Sequence, residues 1–204
     1  MNETQTKKHA TFTDWLRAQA AVITAPIAKF LSKLGVHPNT VTLLGFLLVS
    51  GAAVVLATGN LRLGGVLLLI TSTADAIDGT LARLKGTKGH FGAFLDSTVD
   101  RVSDAVLLFG LLVHLLPQGG AIDVYLIFAS MLGFVMVSYT RARAEGVGYT
   151  CKVGILTRVE RILLLGVGML LNLPRLTLVA LAVFSWVTVF QRVLFVYKQA
   201  REET

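Results

Sequence analysis

Long apolar runs recur along most of the chain, and no soluble architecture accommodates them. A bilayer core about 30 Å thick is crossed by about 20 helical residues. Inside it, a helix satisfies all of its own backbone hydrogen bonds. Six such spans are read at 39–59, 61–84, 92–117, 121–144, 155–173 and 175–198. Breakers separate them: Gly59-Asn60, Gly86 to Gly89, Pro117 to Gly120, Gly146 to Gly148, and Asn172 to Pro174. The connections are short, so neighbouring spans run antiparallel.

The stretch before Asn39 differs from the rest. Met1 to Ala10 is polar, and then Ile23, Ile27, Phe30, Leu31 and Leu34 form a helical stripe with Lys29 and Lys33 off it. This predicts an amphipathic helix lying in the membrane interface, kinked or divided at Pro26. No small-residue cleavage site follows an uninterrupted apolar run, so the stretch does not read as a cleaved leader. The predicted class is an all-α integral membrane protein: six transmembrane helices preceded by an N-terminal interfacial amphipathic helix. Residues 1–38 form the cytoplasmic tail and interfacial helix, and residues 39–204 one transmembrane domain.

Composition narrows the function. The chain is 54% hydrophobic and only 15% charged, with a mean hydropathy of +0.69. An average soluble domain is roughly 25% charged. A soluble enzyme, a disordered tail and a nucleic-acid-binding module are therefore disfavoured. A single cysteine, Cys151, excludes an intrachain disulfide or a cysteine-cluster metal site. His9, His37, His90 and His114 show no ligand spacing. The net charge of +7 comes from 19 basic and 12 acidic residues. With both termini in the cytoplasm, only Arg62 and Arg175 of the 19 fall outside. The positive-inside rule then predicts a multi-pass protein of the cytoplasmic membrane, and no nucleic acid is needed to explain the charge.

Five of the 12 acids, Asp75, Asp78, Asp96, Asp100 and Asp104, lie close together in the chain and inside the apolar spans. Each carboxylate at a membrane helix centre costs about 2.5–3.5 kcal/mol on insertion scales. Asp75, Asp78, Gly79 and Ala82 share one helix face, and so do Gly92, Asp96 and Asp100. An antiparallel hairpin would bring Asp75, Asp78, Asp96 and Asp100 to similar depth, with Asp104 a turn further down. Four carboxylates without His or Cys make a hard, oxygen-rich site suited to Mg²⁺ or Mn²⁺. Two such ions would serve in-line displacement at phosphorus. Gly79, Ala82 and Gly92 leave bare backbone against which a nucleotide could lie, and Arg83 at the rim could meet a phosphate. A transporter using buried acids is the alternative of another class, but a proton relay has no need of those small residues.

The pattern Asp75-(2)-Asp78-Gly79-(2)-Ala82-Arg83-(8)-Gly92-(3)-Asp96-(3)-Asp100 resembles the signature of the CDP-alcohol phosphatidyltransferase family at every fixed position. The resemblance implies a membrane enzyme, a homodimer, that transfers a phosphatidyl group from a CDP-linked lipid to an alcohol and releases CMP. It implies that Asp75, Asp78, Asp96 and Asp100 hold two divalent ions. It makes Asp100 the general base, a metal ligand or both, and places Gly79, Ala82, Arg83 and Gly92 on the nucleotide side.

Three arginines bear on the acceptor. Arg141, Arg161 and Arg192 lie toward the cytoplasmic ends of three other spans, at the depth of the acids. Converging guanidiniums suit a phosphate or carboxylate. The surrounding stretches, Ser138 to Glu145, Glu160-Arg161 and Gln191-Arg192, resemble the branch of the family that makes phosphatidylinositol phosphate. That resemblance implies CDP-diacylglycerol, or an ether-lipid analogue, as donor and inositol 1-phosphate as acceptor. Glycerol 3-phosphate, the substrate of a phosphatidylglycerophosphate synthase, remains the alternative. Pro38-Asn39-Thr40 opens the first span and either caps that helix or faces the nucleotide, the cap being favoured.

Overall fold

A computed structural model describes residues 12–85 and 89–203; the side chains of 12–21, 23, 72–76, 78, 82 and 85 lie outside the description. The described residues form seven helices: α1 (Phe12–Lys33), α2 (Pro38–Ala57), α3 (Leu61–Lys85), α4 (His90–Leu115), α5 (Ala121–Gly146), α6 (Arg158–Leu170) and α7 (Pro174–Glu202). The expected breakers fall between them.

Local chemistry explains the boundaries. His37 caps α2, its Nδ1 accepting from the Asn39 amide at 3.2 Å, and Pro38 occupies the first turn. The cap is thus His37 rather than the Pro38-Asn39-Thr40 run. Asn60 Oδ1 accepts from the Leu63 amide at 3.3 Å and opens α3. α6 ends in a Schellman motif, with Asn172 at φ +59° and the Leu173 amide donating to the Gly168 carbonyl at 2.9 Å. Pro26 does not divide α1, which is a single helix from Phe12 to Lys33. Of the stripe expected on α1, Leu31 packs with Ala28 toward Val41 and Leu81; Ile27, Phe30 and Leu34 stay exposed, and the side chain of Ile23 lies outside the described residues.

α2, α5 and α7 are long and apolar enough to cross a membrane. α3 and α4 are of similar length, 25 and 26 residues, but carry the acidic cluster. α6 departs from expectation. It has 13 residues, about 20 Å at 1.5 Å per residue, where the apolar run at 155–173 predicts a full span. The chain before it is not helical, and its backbone is bonded instead by one face of α7. The Ile155 and Leu156 amides donate to Gln191 Oε1 at 3.2 Å and Thr188 Oγ1 at 3.1 Å. The Val153 and Thr150 carbonyls accept from Arg192 Nε and Gln199 Nε2, each at 2.9 Å. Tyr149 donates to Glu203 at 2.7 Å. Protein groups thus take the place of the helical hydrogen bonds that this stretch lacks.

Small residues set the helix crossings. A Cβ on Gly65 of α3 would lie 2.8 Å from the Gly166 carbonyl oxygen of α6, and one on Gly110 of α4 would fall on the Ala53 carbonyl oxygen of α2. α2 packs against both α3 and α4, and among the described residues no comparable packing joins α3 to α4. The convergence expected of the α3 and α4 aspartates falls on α3 side chains outside the described residues. The main core, from Val49 and Leu56 to Leu111, Leu165 and Leu178, fills the end of the bundle away from the acids. None of the α4 residues from His90 to Val102 is buried. The bundle is therefore sealed at one end and open where the acidic stripe lies.

Candidate active site

Asp96 and Asp100 stand one turn apart on α4, on a half-buried face shared with Gly92, Leu95 and Val99. Their spacing of four produces this directly, since it advances a helix by little more than one turn. Asp75, Asp78 and Ala82 lie on α3, and their side chains fall outside the described residues. Gly79 and Arg83 are described: Arg83 is exposed and donates from Nη2 to Thr80 Oγ1 at 2.9 Å. A Cβ on Gly79 would meet nothing within 4 Å except the Arg83 guanidinium, at 3.8 Å. Among the described residues nothing else covers Gly79. Gly92 faces Asn39, whose Oδ1 would lie 3.3 Å from a Cβ there. Asn39 thus looks across at the α4 stripe from the first turn of α2.

Asp100 is held by two arginines. Oδ1 accepts from Arg158 Nη1 at 2.9 Å, and Oδ2 lies 3.3 Å from Arg101 Nη1. Arg101 is fixed in turn by the Ser97 carbonyl and by Ser138 Oγ, both at 2.7 Å. The same two cations act electrostatically on Asp96. Neither Arg101 nor Arg158 is among the site residues expected from the sequence. The available signals are the adjacency of Arg101 to Asp100 and the placing of Arg158 one turn before Arg161, on the same helix face.

The three arginines read as acceptor ligands sit in different settings. Arg141 is half-exposed and pairs with Glu145 at 2.9 Å, one turn on. Arg161 is buried, 2% exposed, and donates to Asp104 Oδ2 at 2.9 Å and to the Phe134 carbonyl at 3.2 Å. Its guanidinium also lies over the Phe134 ring, 4.4 Å from the centroid. Asp104 therefore has a partner of its own within the core. Arg192 is also buried, and it donates to the carbonyl oxygens of Val153 and Val137. Arg141 and Arg161 are within electrostatic reach of Arg192, and Arg161 is within reach of Asp100, Arg101 and Arg158. One chain of charges thus runs from the α4 acids through α6 to α5 and α7.

The donor set fits a divalent cation. Asp96 and Asp100 offer only hard carboxylate oxygens, on a half-buried face of α4.

An all-helical fold with such apolar spans and an acidic stripe at its open end defines a membrane protein built for phosphate chemistry. The family model described as CDP-alcohol phosphatidyltransferase matches residues 35–195. The archaetidylinositol phosphate synthase of Pyrococcus horikoshii is 40% identical over 168 residues, covering 82% of this chain and 87% of that protein. The phosphatidylinositol phosphate synthase of Corynebacterium glutamicum is 38% identical over 192 residues, covering 89% and 87%. The crystal structure of Mycobacterium tuberculosis phosphatidylinositol phosphate synthase with CDP-DAG bound superposes with a TM-score of 0.76 at 31% identity, covering 87% of this chain and 94% of that one. The same enzyme in complex with manganese and citrate gives 0.78 at 29% identity, covering 85% and 88%. The chain belongs to the CDP-alcohol phosphatidyltransferase family.

Proposed function

We propose that this protein transfers the phosphatidyl group of CDP-diacylglycerol to inositol 1-phosphate, giving phosphatidylinositol phosphate and CMP. The observation that carries the reading is the likeness to relatives named for this product, at 38% and 40% identity over more than four-fifths of the chain. An ether-lipid donor is equally compatible, because the relatives include archaetidylinositol phosphate synthases.

Asp75, Asp78, Asp96 and Asp100 would hold two divalent cations, Mg²⁺ or Mn²⁺. When bound, such ions neutralise the pyrophosphate and stabilise charge on departing CMP. The surface over Gly79, with Ala82 and Gly92, would admit the nucleotide, and Arg83 would swing from Thr80 to its phosphates. Arg141, Arg161 and Arg192 would fix the acceptor phosphate and so aim its free hydroxyl. The hydroxyl oxygen forms a new bond to the lipid-bearing phosphorus, the bond from that phosphorus to CMP breaks, and Asp100 takes the hydroxyl proton. Both Asp100 oxygens are engaged by arginines in the structure. The longer contact, from Oδ2 to Arg101, is the one most readily exchanged for that proton. The site would face the cytoplasm, with both termini on that side, within a homodimer.

The test is a CMP-release assay on the purified protein, with inositol 1-phosphate and glycerol 3-phosphate in parallel and with or without EDTA. CMP is expected only when CDP-diacylglycerol, inositol 1-phosphate and metal are present together. No release with any phosphorylated alcohol overturns the reading, and release with glycerol 3-phosphate alone reassigns the acceptor. Asp96→Asn is expected to abolish release while the protein still inserts in membranes. Arg192→Ala is expected to raise the KM for inositol 1-phosphate more than that for the donor.

A further inference from the structure

A groove of about 570 Å³ runs between the non-helical segment that precedes α6 and the C-terminal half of α7. Its size falls in the range that holds a small organic ligand. Ile155, Leu194 and Phe195 make apolar walls that stay open to the surroundings, at 52%, 59% and 36% exposure. Lys152 and Lys198 also line it, both exposed, and neither forms an ion pair with a described residue. Leu194 and Lys198 are one turn apart on one face of α7, about 6 Å along the axis. The groove therefore changes from apolar to basic over one helical turn, in the direction of the α7 C-terminus. A phospholipid at a membrane surface has that polarity over that distance, and an anionic headgroup complements the two ammonium groups. A soluble phosphate would have no use for the exposed apolar walls.

We propose that this groove binds one anionic phospholipid of the surrounding bilayer, its phosphate between Lys152 and Lys198 and an acyl chain against Ile155, Leu194 and Phe195. The groove has a second consequence, since Val153 lines it and the Val153 carbonyl also holds Arg192. A lipid seated there braces the segment that positions Arg192.

The test is native mass spectrometry of the full-length chain in detergent, titrated with phosphatidylglycerol, with phosphatidylcholine of the same acyl chains, and with deacylated glycerophosphoglycerol. One phosphatidylglycerol is expected to be retained, in preference to phosphatidylcholine and to the deacylated headgroup. Lys152→Gln and Lys198→Gln are each expected to weaken retention about fivefold. Lys33→Gln, which removes an exposed charge from α1, is expected to leave retention unchanged. Melting temperatures of the variants separate this loss from misfolding. Equal retention of phosphatidylcholine, equal binding of the free headgroup, the same loss in Lys33→Gln, or full retention in folded Lys152→Gln and Lys198→Gln would each overturn the proposal. The readout does not depend on turnover, so it stands or falls separately from the acceptor assignment.

Discussion

Asp104→Asn isolates the energetic role of the charge pair at the centre of the bundle. The side chains of Arg161 and Asp104 are 2% and 8% exposed, and one 2.9 Å hydrogen bond joins them. The substitution preserves shape and removes only the negative charge. Arg161 then keeps the Phe134 carbonyl and ring but has no counter-ion in contact. Because a guanidinium does not give up its proton, the charge stays buried. Breaking a buried pair this way costs about 3–5 kcal/mol. At about 2–4 °C per kcal/mol for a chain of this size, the melting temperature falls by roughly 6–20 °C. The double variant Asp104→Leu/Arg161→Met replaces both charges with apolar groups and is expected to recover most of that loss. The assay is thermal unfolding in detergent, followed by tryptophan fluorescence, on wild type and both variants. An Asp104→Asn melting temperature indistinguishable from that of wild type would refute the reasoning. CMP release by the stable double variant then reads the contribution of Arg161 to acceptor binding, which is expected as a raised KM for inositol 1-phosphate with the fold intact.

Two further outcomes follow from particular contacts. Gly110→Ala would drive its Cβ onto the Ala53 carbonyl oxygen, part of a backbone that cannot rotate away; a loss of about 1–3 kcal/mol is expected in the same unfolding assay. Cys151 is fully buried in the segment between α5 and α6, and that burial pushes its thiol above the ordinary cysteine range. Its thiolate fraction in mildly alkaline buffer is therefore lower than that of a free thiol, so iodoacetamide labelling followed by mass spectrometry should be slow in the folded protein and should speed up as pH rises or on unfolding.

The legible parts of this fold were those encoded locally. Run length and Gly, Pro and Asn breakers placed α2, α3, α4, α5 and α7 close to their observed bounds, because an apolar helix of spanning length needs little beyond its own sequence. The spacing of Gly92, Asp96 and Asp100 put them on one face for the same reason. α6 escaped because Ile155 and Leu156 look like the start of a span, while the groups that hold this stretch out of a helix, Thr188 and Gln191, lie far along the chain on α7. Gly154 at φ +130° is the local trace of that choice. The Arg161–Asp104 and Arg158–Asp100 pairs were likewise invisible to spacing, since each joins helices far apart in sequence. Periodicity gives the face a residue occupies, and the choice among several opposite charges on facing helices depends on the packing angles.

The stitching of the segment before α6 onto α7 also has a consequence in time. Thr188, Gln191, Arg192 and Gln199 lie on α7 and leave the ribosome after α6, whereas the backbone they satisfy emerges before α6 has been made. During synthesis that stretch must wait, unpaired or solvated, until α7 is made. The acidic stripe on α4 has its own helix complete long before. The α4 half of the proposed site is thus assembled early, and the Arg192 half is finished only when α7 docks. A chain cut short within α7 would carry a formed acidic stripe beside a segment before α6 that lacks its α7 partners.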